Sequence, residues 1–173
     1  MATIEEIKKF RELTHAPVGD CRIALEKSGG NFEKALEYLR SLGKEKVEKK
    51  AHRATGAGHI FAYVHHGGQI GVLLDLRSET DFVARSEEFK KLGHELCLQV
   101  AAMNPLFIRR EDVPDEVAQK FKKEKNEEEL KELILMEQPY IKNQDITVAD
   151  LIAEYVGKVG EHLEVNRFMR FDV

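Results

Sequence analysis

Two runs rich in β-branched and aromatic residues, Ile60 to Val64 and Ile70 to Leu76, lie on either side of His66-Gly67-Gly68-Gln69. Runs of this kind read as strands, and a Gly-Gly pair supplies the positive φ angles of a tight primed turn. The spacing therefore predicts a β-hairpin near the middle of the chain. That hairpin constrains the rest, because the segments before and after it carry helical periodicity. A central antiparallel pair with helices on both sides favours an α+β core over a doubly wound sheet, in which strands and helices would alternate.

After the hairpin, Phe89, Leu92, Leu96, Val100 and Met103 form one apolar stripe and predict a helix from about Ser86 to Met103, ended by Asn104-Pro105. Glu111 to Glu137 holds ten acids against five bases and predicts one or two solvent-facing helices that start at Pro114 and stop at Pro139. Thr147-Val148-Ala149-Asp150 resembles a capped helix start with aspartate in the usual glutamate position. Val148, Leu151, Ile152, Tyr155, Val156 and Val159 give that helix an apolar face, and Gly160 closes it. Leu163, Val165, Met169, Phe171 and Val173 then alternate with Glu164, Asn166, Arg170 and Asp172. This predicts a half-buried strand with one wet face and an edge open to pairing with a second copy, a homodimer.

The first 43 residues read as three short helices. Thr3-Ile4-Glu5-Glu6 fits a capping box, followed by Ile4, Ile7, Phe10 and Leu13 at helical spacing. Pro17 suits the first turn of a second helix carrying Val18, Cys21, Ala24 and Leu25, which Gly29-Gly30 ends. Asn31 caps a third, with Phe32, Ala35, Leu36 and Leu39, expected to stop at Gly43. The expected organisation is a three-helix module over 1–43, a charged connector over 44–53 and an α+β core over 54–173. The connector carries five basic residues and two acids and reads as a solvated helix or linker, its local charge of +3 suited to steering an acidic partner.

Composition narrows the function classes. Twenty-seven basic against thirty-one acidic residues leave a formal charge of −4, which gives no support for duplex nucleic-acid binding through phosphate neutralisation. No stretch approaches the roughly 18 consecutive apolar residues of a membrane span. The first ten residues do not read as a signal or transit peptide. Cys21 and Cys97 are far apart inside helical patterns, which argues against a disulfide framework or a four-ligand zinc site and for a reducing, cytoplasmic setting.

Candidate catalytic arrangements mostly fail on spacing, and the chain is expected to be a non-enzyme without a cofactor. His94-Glu95 begins like a zinc-protease helix, but Leu98 stands where the second histidine would have to be. Gly56-Ala57-Gly58 lacks a following phosphate-loop lysine and precedes a strand, whereas a dinucleotide loop follows one. His65 and His66 adjoin the turn and point to opposite faces of a strand. Each cysteine reads as a small core residue. Asp75, Glu79 and Asp81 place three carboxylates within seven positions, a group that suits Mg²⁺ through oxygen ligands, although strand-end carboxylates often serve as caps and solvated turn residues and no phosphate-handling motif lies nearby. A Mg²⁺-dependent hydrolase using these three is therefore one alternative. An interaction scaffold whose N-terminal helices bind a peptide or ubiquitin-like partner is another.

One segment stands apart: Glu79-Thr80-Asp81-Phe82-Val83-Ala84-Arg85. By pattern alone, Asp81 caps a helix while Phe82 and Val83 plug the core. Thr80-Asp81-Phe82-Val83-Ala84-Arg85, however, closely resembles the signature of the elongation factor Ts family, exchange factors for the translational GTPase elongation factor Tu. Phe10-Arg11-Glu12-Leu13-Thr14 with Asp20-Cys21-Arg22 and Ala24-Leu25 resembles the family's N-terminal motif. Glu137-Gln138-Pro139-Tyr140-Ile141-Lys142, Val159-Gly160-Glu161 and Arg167-Phe168-Met169-Arg170-Phe171 resemble its C-terminal landmarks, and the length looks like the short bacterial type. The resemblance covers nearly the whole chain. It implies a three-helix module of ubiquitin-associated type before an antiparallel-sheet core, with no chemistry of its own. It also implies that Thr80, Asp81, Phe82 and Val83 form the contact that promotes GDP release, with Asp81 and Phe82 entering the partner's GTPase domain near its nucleotide-bound magnesium. Arg11, Val18 and Gly19 would touch another part of that domain. The sequence departs from the family there: His15, Pro17, Val18 and Gly19 replace a loop usually written with glycines and paired methionines. His162 stands where asparagine is common and Asn166 where arginine is.

Overall fold

The central hairpin forms from β1 (Ala57–Val64) and β2 (Ile70–Ser78), paired antiparallel from Ala57 with Ser78 through to Val64 with Gly71. The structure, a computed structural model, describes residues 2–124 and 126–173. In the turn, the Gly68 N–H donates to the His65 carbonyl at 2.9 Å and the His65 N–H to the Ile70 carbonyl at 2.8 Å. Of the two residues inside the 65–68 turn, only Gly67 has positive φ, at 97°. The turn therefore follows the type II pattern and not the primed one expected.

Two helices lie between the hairpin and the next core segment. One is a single turn, α4 (Asp81–Ala84), and the other is α5 (Glu87–Met103), capped by Ser86 and ended by Asn104 in the left-handed conformation. Phe89, Leu92, Leu96 and Val100 of α5 are fully buried and pack with Val72, Leu74 and Leu76 of β2. Met103, the last residue of the expected stripe, is exposed. The acidic stretch folds as α6 (Asp115–Glu124) and α7 (Glu127–Glu132) between two 3₁₀ turns, over its own small cluster of Val113, Leu130 and Ile134. A short antiparallel pair, β3 (Pro139–Tyr140) and β4 (Asn143–Thr147), then leads into α8 (Val148–Val159). Thr147 and Asp150 close the expected capping box, and Gly160 ends α8 in the left-handed conformation.

The last strand, β5 (Leu163–Asp172), pairs antiparallel with β2, giving the sheet order β1-β2-β5. Its register shifts between Asp75 and Leu76: Leu76 faces Val165 while Asp75 faces Arg167, so Asn166 is an extra residue. One inserted residue sends every later side chain to the opposite face. Leu163 and Val165 point into the core; past the bulge it is Phe168 that packs there, and Arg170 donates to the Ala101 carbonyl. Met169, Phe171 and Val173, expected on the buried face, are exposed instead. With Ile60, Val64 and Leu73 they give the outer side of the sheet an apolar character.

The N-terminal part consists of α1 (Ile4–Thr14), α2 (Val18–Lys27) and α3 (Phe32–Lys50). Phe10, Ala16, Cys21, Ala24, Leu25 and Ala35 form a core separate from that of the sheet. Ile4, Leu13, Val18 and Leu36 are uncovered, although they share the helical spacing. The expected helix stop at Gly43 does not occur, and the charged stretch from Lys44 is the continuation of α3. Gly43 has another role. A Cβ there would sit 2.6 Å from the Ala153 carbonyl oxygen, so its absence lets α3 and α8 cross closely. Lys44 pairs with Asp150 at 2.6 Å and Arg40 with Glu154 at 3.2 Å. The Lys44 pair offsets part of that stretch's positive charge against α8.

Candidate functional site

The turn that follows β2 is built by hydrogen bonds within a few residues. Ser78 Oγ donates to the Thr80 carbonyl at 3.0 Å, and the Thr80 hydroxyl accepts the Val83 N–H at 3.4 Å. Thr80 is thus the N-cap of α4, a position preferred by side chains with a short oxygen. This corrects the pattern-based expectation of Asp81 as the cap. Ser86 then caps α5, with only Arg85 and Ser86 between the two helices.

Over this single turn the side chains divide. Val83 is 5% exposed and belongs to the main core, as does Ala84. Phe82 is 86% exposed. The expectation that Phe82 plugs the core is therefore corrected, while Val83 does plug it and anchors the turn within the chain. Leaving a phenylalanine in water forgoes about 1.5–3 kcal/mol that burial would yield. Asp81 also points outward and pairs with Arg85 at 3.0 Å; both groups are mostly solvent-exposed, so the pair adds little stability.

A second set of bonds reaches the turn from the connection between α8 and β5. The Glu161 carboxylate accepts the Thr80 N–H at 3.0 Å and the Thr80 hydroxyl at 2.6 Å. In return, Glu79 accepts the His162 N–H at 2.7 Å and pairs with Arg53 at 3.2 Å. The bond from the His162 N–H, with Arg53 beside it, holds the Glu79 carboxyl below the usual range. Glu161 is missing from the residues singled out by sequence as site members. It is visible there only as the last letter of a landmark, because the contact spans 81 positions.

The three carboxylates considered for Mg²⁺ go separate ways. Asp75 is 3% exposed, takes two bonds from Arg77 at 2.5 and 2.9 Å, and accepts from Asn166 at 2.9 Å. The Arg77 bonds hold its carboxyl below the usual range. Glu79 pairs with Arg53 and Asp81 with Arg85. Among the described residues no group of three or more His, Cys, Asp or Glu side chains is placed to hold a metal ion.

Other candidates resolve into structural roles. A Cβ on Gly58 would collide with the Leu76 carbonyl, so that glycine reflects close approach of the strands, whereas Gly56 has open space where a Cβ would project. The Tyr63 hydroxyl bonds His65 Nδ1 at 2.8 Å, and the His94 ring packs edge-on against Tyr63 at 5.9 Å. Both cysteines are buried, and burial pushes the Cys97 thiol up to about 12, well away from a reactive thiolate.

The residues expected to make the other contact lie at adjoining ends of α1 and α2. Arg11 is exposed in the last turn of α1, where His15 in the left-handed conformation donates to its carbonyl at 2.7 Å. Val18 opens α2 and is 52% exposed. Gly19 follows, with open space where a Cβ would project. The structure places Arg11, Val18 and Gly19 on the helical module and Thr80 to Val83 just after β2, on separate elements.

These features define an α+β protein that holds an uncovered aromatic ring on a one-turn helix tied down at its cap. The family model for Elongation factor TS matches residues 8–131. The elongation factor Ts of Thermotoga neapolitana is 47% identical over 190 aligned positions, covering 99% of this chain and 96% of the relative. That of Carboxydothermus hydrogenoformans is 42% identical, covering 100% and 89%. That of Gloeothece citriformis is 45% identical, covering 98% of this chain and 67% of a longer relative. The chain belongs to the elongation factor Ts family. No described helix is long and apolar enough to cross a membrane.

Proposed function

We propose that the chain is a guanine nucleotide exchange factor for elongation factor Tu, acting in the cytoplasm on a protein partner and not on nucleic acid or membrane. The observation that carries this reading is Phe82, 86% exposed beside a buried Val83. A GTPase holds GDP through backbone amides, a lysine and a magnesium that bridges phosphate oxygens and protein ligands. A factor that binds the nucleotide-free form more tightly weakens GDP binding by the same ratio. Burying one phenylalanine in a pocket open only in the empty form is worth about 1.5–3 kcal/mol. That is a shift of roughly ten- to a hundred-fold. Asp81 brings negative charge towards the partner's magnesium, partly offset by its own desolvation and by release from Arg85. The process transfers no group and needs neither a catalytic residue nor a cofactor in this chain. Arg11, Val18 and Gly19 supply a second, weaker contact.

The test mixes the protein with elongation factor Tu preloaded with fluorescent GDP, in excess unlabelled GDP. Fast release supports exchange. Tight binding with slow release would indicate a scaffold, and phosphate or ester products formed without a partner would indicate a hydrolase.

We further propose that two copies pair through the outer face of the sheet, where Leu73 and Met169 stand cross-strand with Phe171 and Val64 nearby. Exposed apolar residues in adjoining rows suit a self-complementary two-fold contact. Sedimentation should show a dimer that Met169→Lys dissociates; a monomer at all concentrations overturns the pairing.

A further inference from the structure

We infer that Glu161 is a positioning residue that fixes the pose of Phe82 by orienting the cap of α4; the inference rests on the exchange reading above. A helix of four residues has no stability of its own, because nucleation costs more than one turn returns. Its geometry comes from its ends. The inner end is fixed by Val83 and Ala84 in the core. At the outer end, Thr80 is extended and exposed, and its hydroxyl has two possible roles. With the hydroxyl proton directed to Glu161 at 2.6 Å, the oxygen lone pairs are free to accept the Val83 N–H. The same carboxylate takes the Thr80 N–H at 3.0 Å, so one side chain sets both the backbone and the rotamer of the cap. Hydrogen bonds to an ionised acceptor are the stronger kind.

Glu161 is itself held on both sides. Gly160 before it ends α8 at φ 76°, and its carbonyl accepts Lys50 Nζ from the end of α3. His162 after it donates its N–H to Glu79, the residue before Thr80. The two connections are thus crossed: 161 holds 80 and 79 holds 162. No apolar burial requires this crossing, since Thr80 is solvent-exposed and water would satisfy its polar atoms equally. Its consequence is that the ring is held before the partner arrives, and ordering the ring in advance removes part of the entropy cost of binding.

The test uses the full chain and elongation factor Tu loaded with fluorescent GDP. Glu161→Ala is expected to lower the limiting release rate about tenfold, the effect of losing a bond to a charged group. The half-saturating concentration should rise by a smaller factor than the rate falls, because the helical module still contributes to the encounter. Glu161→Gln, whose amide oxygen can still accept the Thr80 N–H, should recover most of the rate. In a Phe82→Ala background, Glu161→Ala should have no further effect, because the residue acts through the ring. Amide exchange in the isolated chain should speed up at Thr80 and Val83 in Glu161→Ala and not at the α5 amides.

A Glu161→Ala variant that releases GDP at the parent rate overturns the proposal. So does one whose loss is equally large in the Phe82→Ala background, since that is a structural effect. Where the alanine variant does not fold, Glu161→Leu, which keeps the bulk of the side chain without an acceptor, decides: unchanged amide exchange at Thr80 and Val83 together with an unchanged limiting rate overturns the proposal. If the parent itself fails to accelerate release, the exchange reading falls; amide exchange at Thr80 still reports separately whether Glu161 fixes the turn.

Discussion

Two segments are fastened to α5 in opposite ways. The turn Thr80–Arg85 precedes its start, and the strap Glu137–Lys142 crosses its middle. In the strap the polar groups of Gln138, Tyr140 and Ile141 are directed at α5. Gln99 of α5 donates to the side-chain oxygen of the fully buried Gln138 and to the Pro139 carbonyl, both at 3.1 Å, and accepts the Ile141 N–H at 2.9 Å. Glu95, one helical turn earlier, accepts the Tyr140 hydroxyl at 2.6 Å and pairs with Lys142 at 2.7 Å. Burial and the bond to Glu95 raise the Tyr140 phenol well above its ordinary value. Burial also opposes ionisation of Glu95, but the bonds from Lys142 and Tyr140 outweigh it and hold the carboxyl below the usual range. In the turn, hydrogen bonds fix the backbone while the largest apolar side chain is left in water. A segment whose polar groups are consumed inside the chain serves the fold. One whose polar groups orient an uncovered ring has something left for a partner.

The contrast breaks most easily at the strap. Gln99→Leu keeps the volume but strands Gln138 and the Ile141 N–H, at a cost of about 3 kcal/mol for buried groups left unpaired. For a chain of this size the melting temperature should fall by about 6–12 °C. GDP release catalysed by the fraction that remains folded should be unaffected. An unchanged melting temperature would mean that the strap is not fastened as described.

Val83→Ala and Phe82→Ala sharpen the contrast within one turn. Val83→Ala removes buried methyl groups and should cost about 2 kcal/mol of stability, read by denaturant titration. Phe82→Ala should leave the melting temperature unchanged, since the ring is already in solvent, and slow stimulated GDP release at least about tenfold. A destabilised Phe82→Ala, or one that releases GDP at the parent rate, would erase the distinction between anchor and wedge.

Much of this was legible in the sequence where local physics decides it. The hairpin, the Thr3–Glu6 and Thr147–Asp150 capping boxes and the Phe89–Val100 stripe depend on residues a few positions apart, and all four form. The errors fall where distant segments meet. Gly43 looks like a helix end until Ala153, more than a hundred positions away, is placed against it. Met169 and Phe171 alternate correctly but sit on the outer face, because the bulge at Asn166 belongs to the pairing of β5 with β2 and leaves no mark on β5 alone. At the site, periodicity could place Phe82 and Val83 on a turn but could not assign which of them faces water. The assignment follows from Thr80 serving as the cap in place of Asp81, a shift of one residue that rotates the whole turn.

The smallest expected effect concerns pH and the connection that holds the turn. His162 is buried, its Nδ1 has no hydrogen-bond partner among the described residues, and it lines a space shared with Arg109 and Glu164. Burial lowers its pKa, with Arg109 and His52 acting the same way and Glu164 and Glu79 opposing. A group whose folded pKa is depressed adds stability that is complete above the unfolded value of about 6.5 and is lost as pH falls towards the folded value. Glu79, Asp75 and Glu164 are all held below the usual carboxylate range, so their contributions fade only at lower pH and leave this window to His162. The melting temperature of the parent should therefore decline as pH falls below about 6.5, and His162→Asn should flatten that slope. The backbone N–H that holds Glu79 is kept in the variant, so its stimulated GDP release at pH 7.5 should match the parent. Identical slopes for the two proteins would show that the buried imidazole does not titrate in this range. A flattened slope accompanied by slower release at pH 7.5 would show that the side chain, and not only the N–H of residue 162, helps to hold the turn.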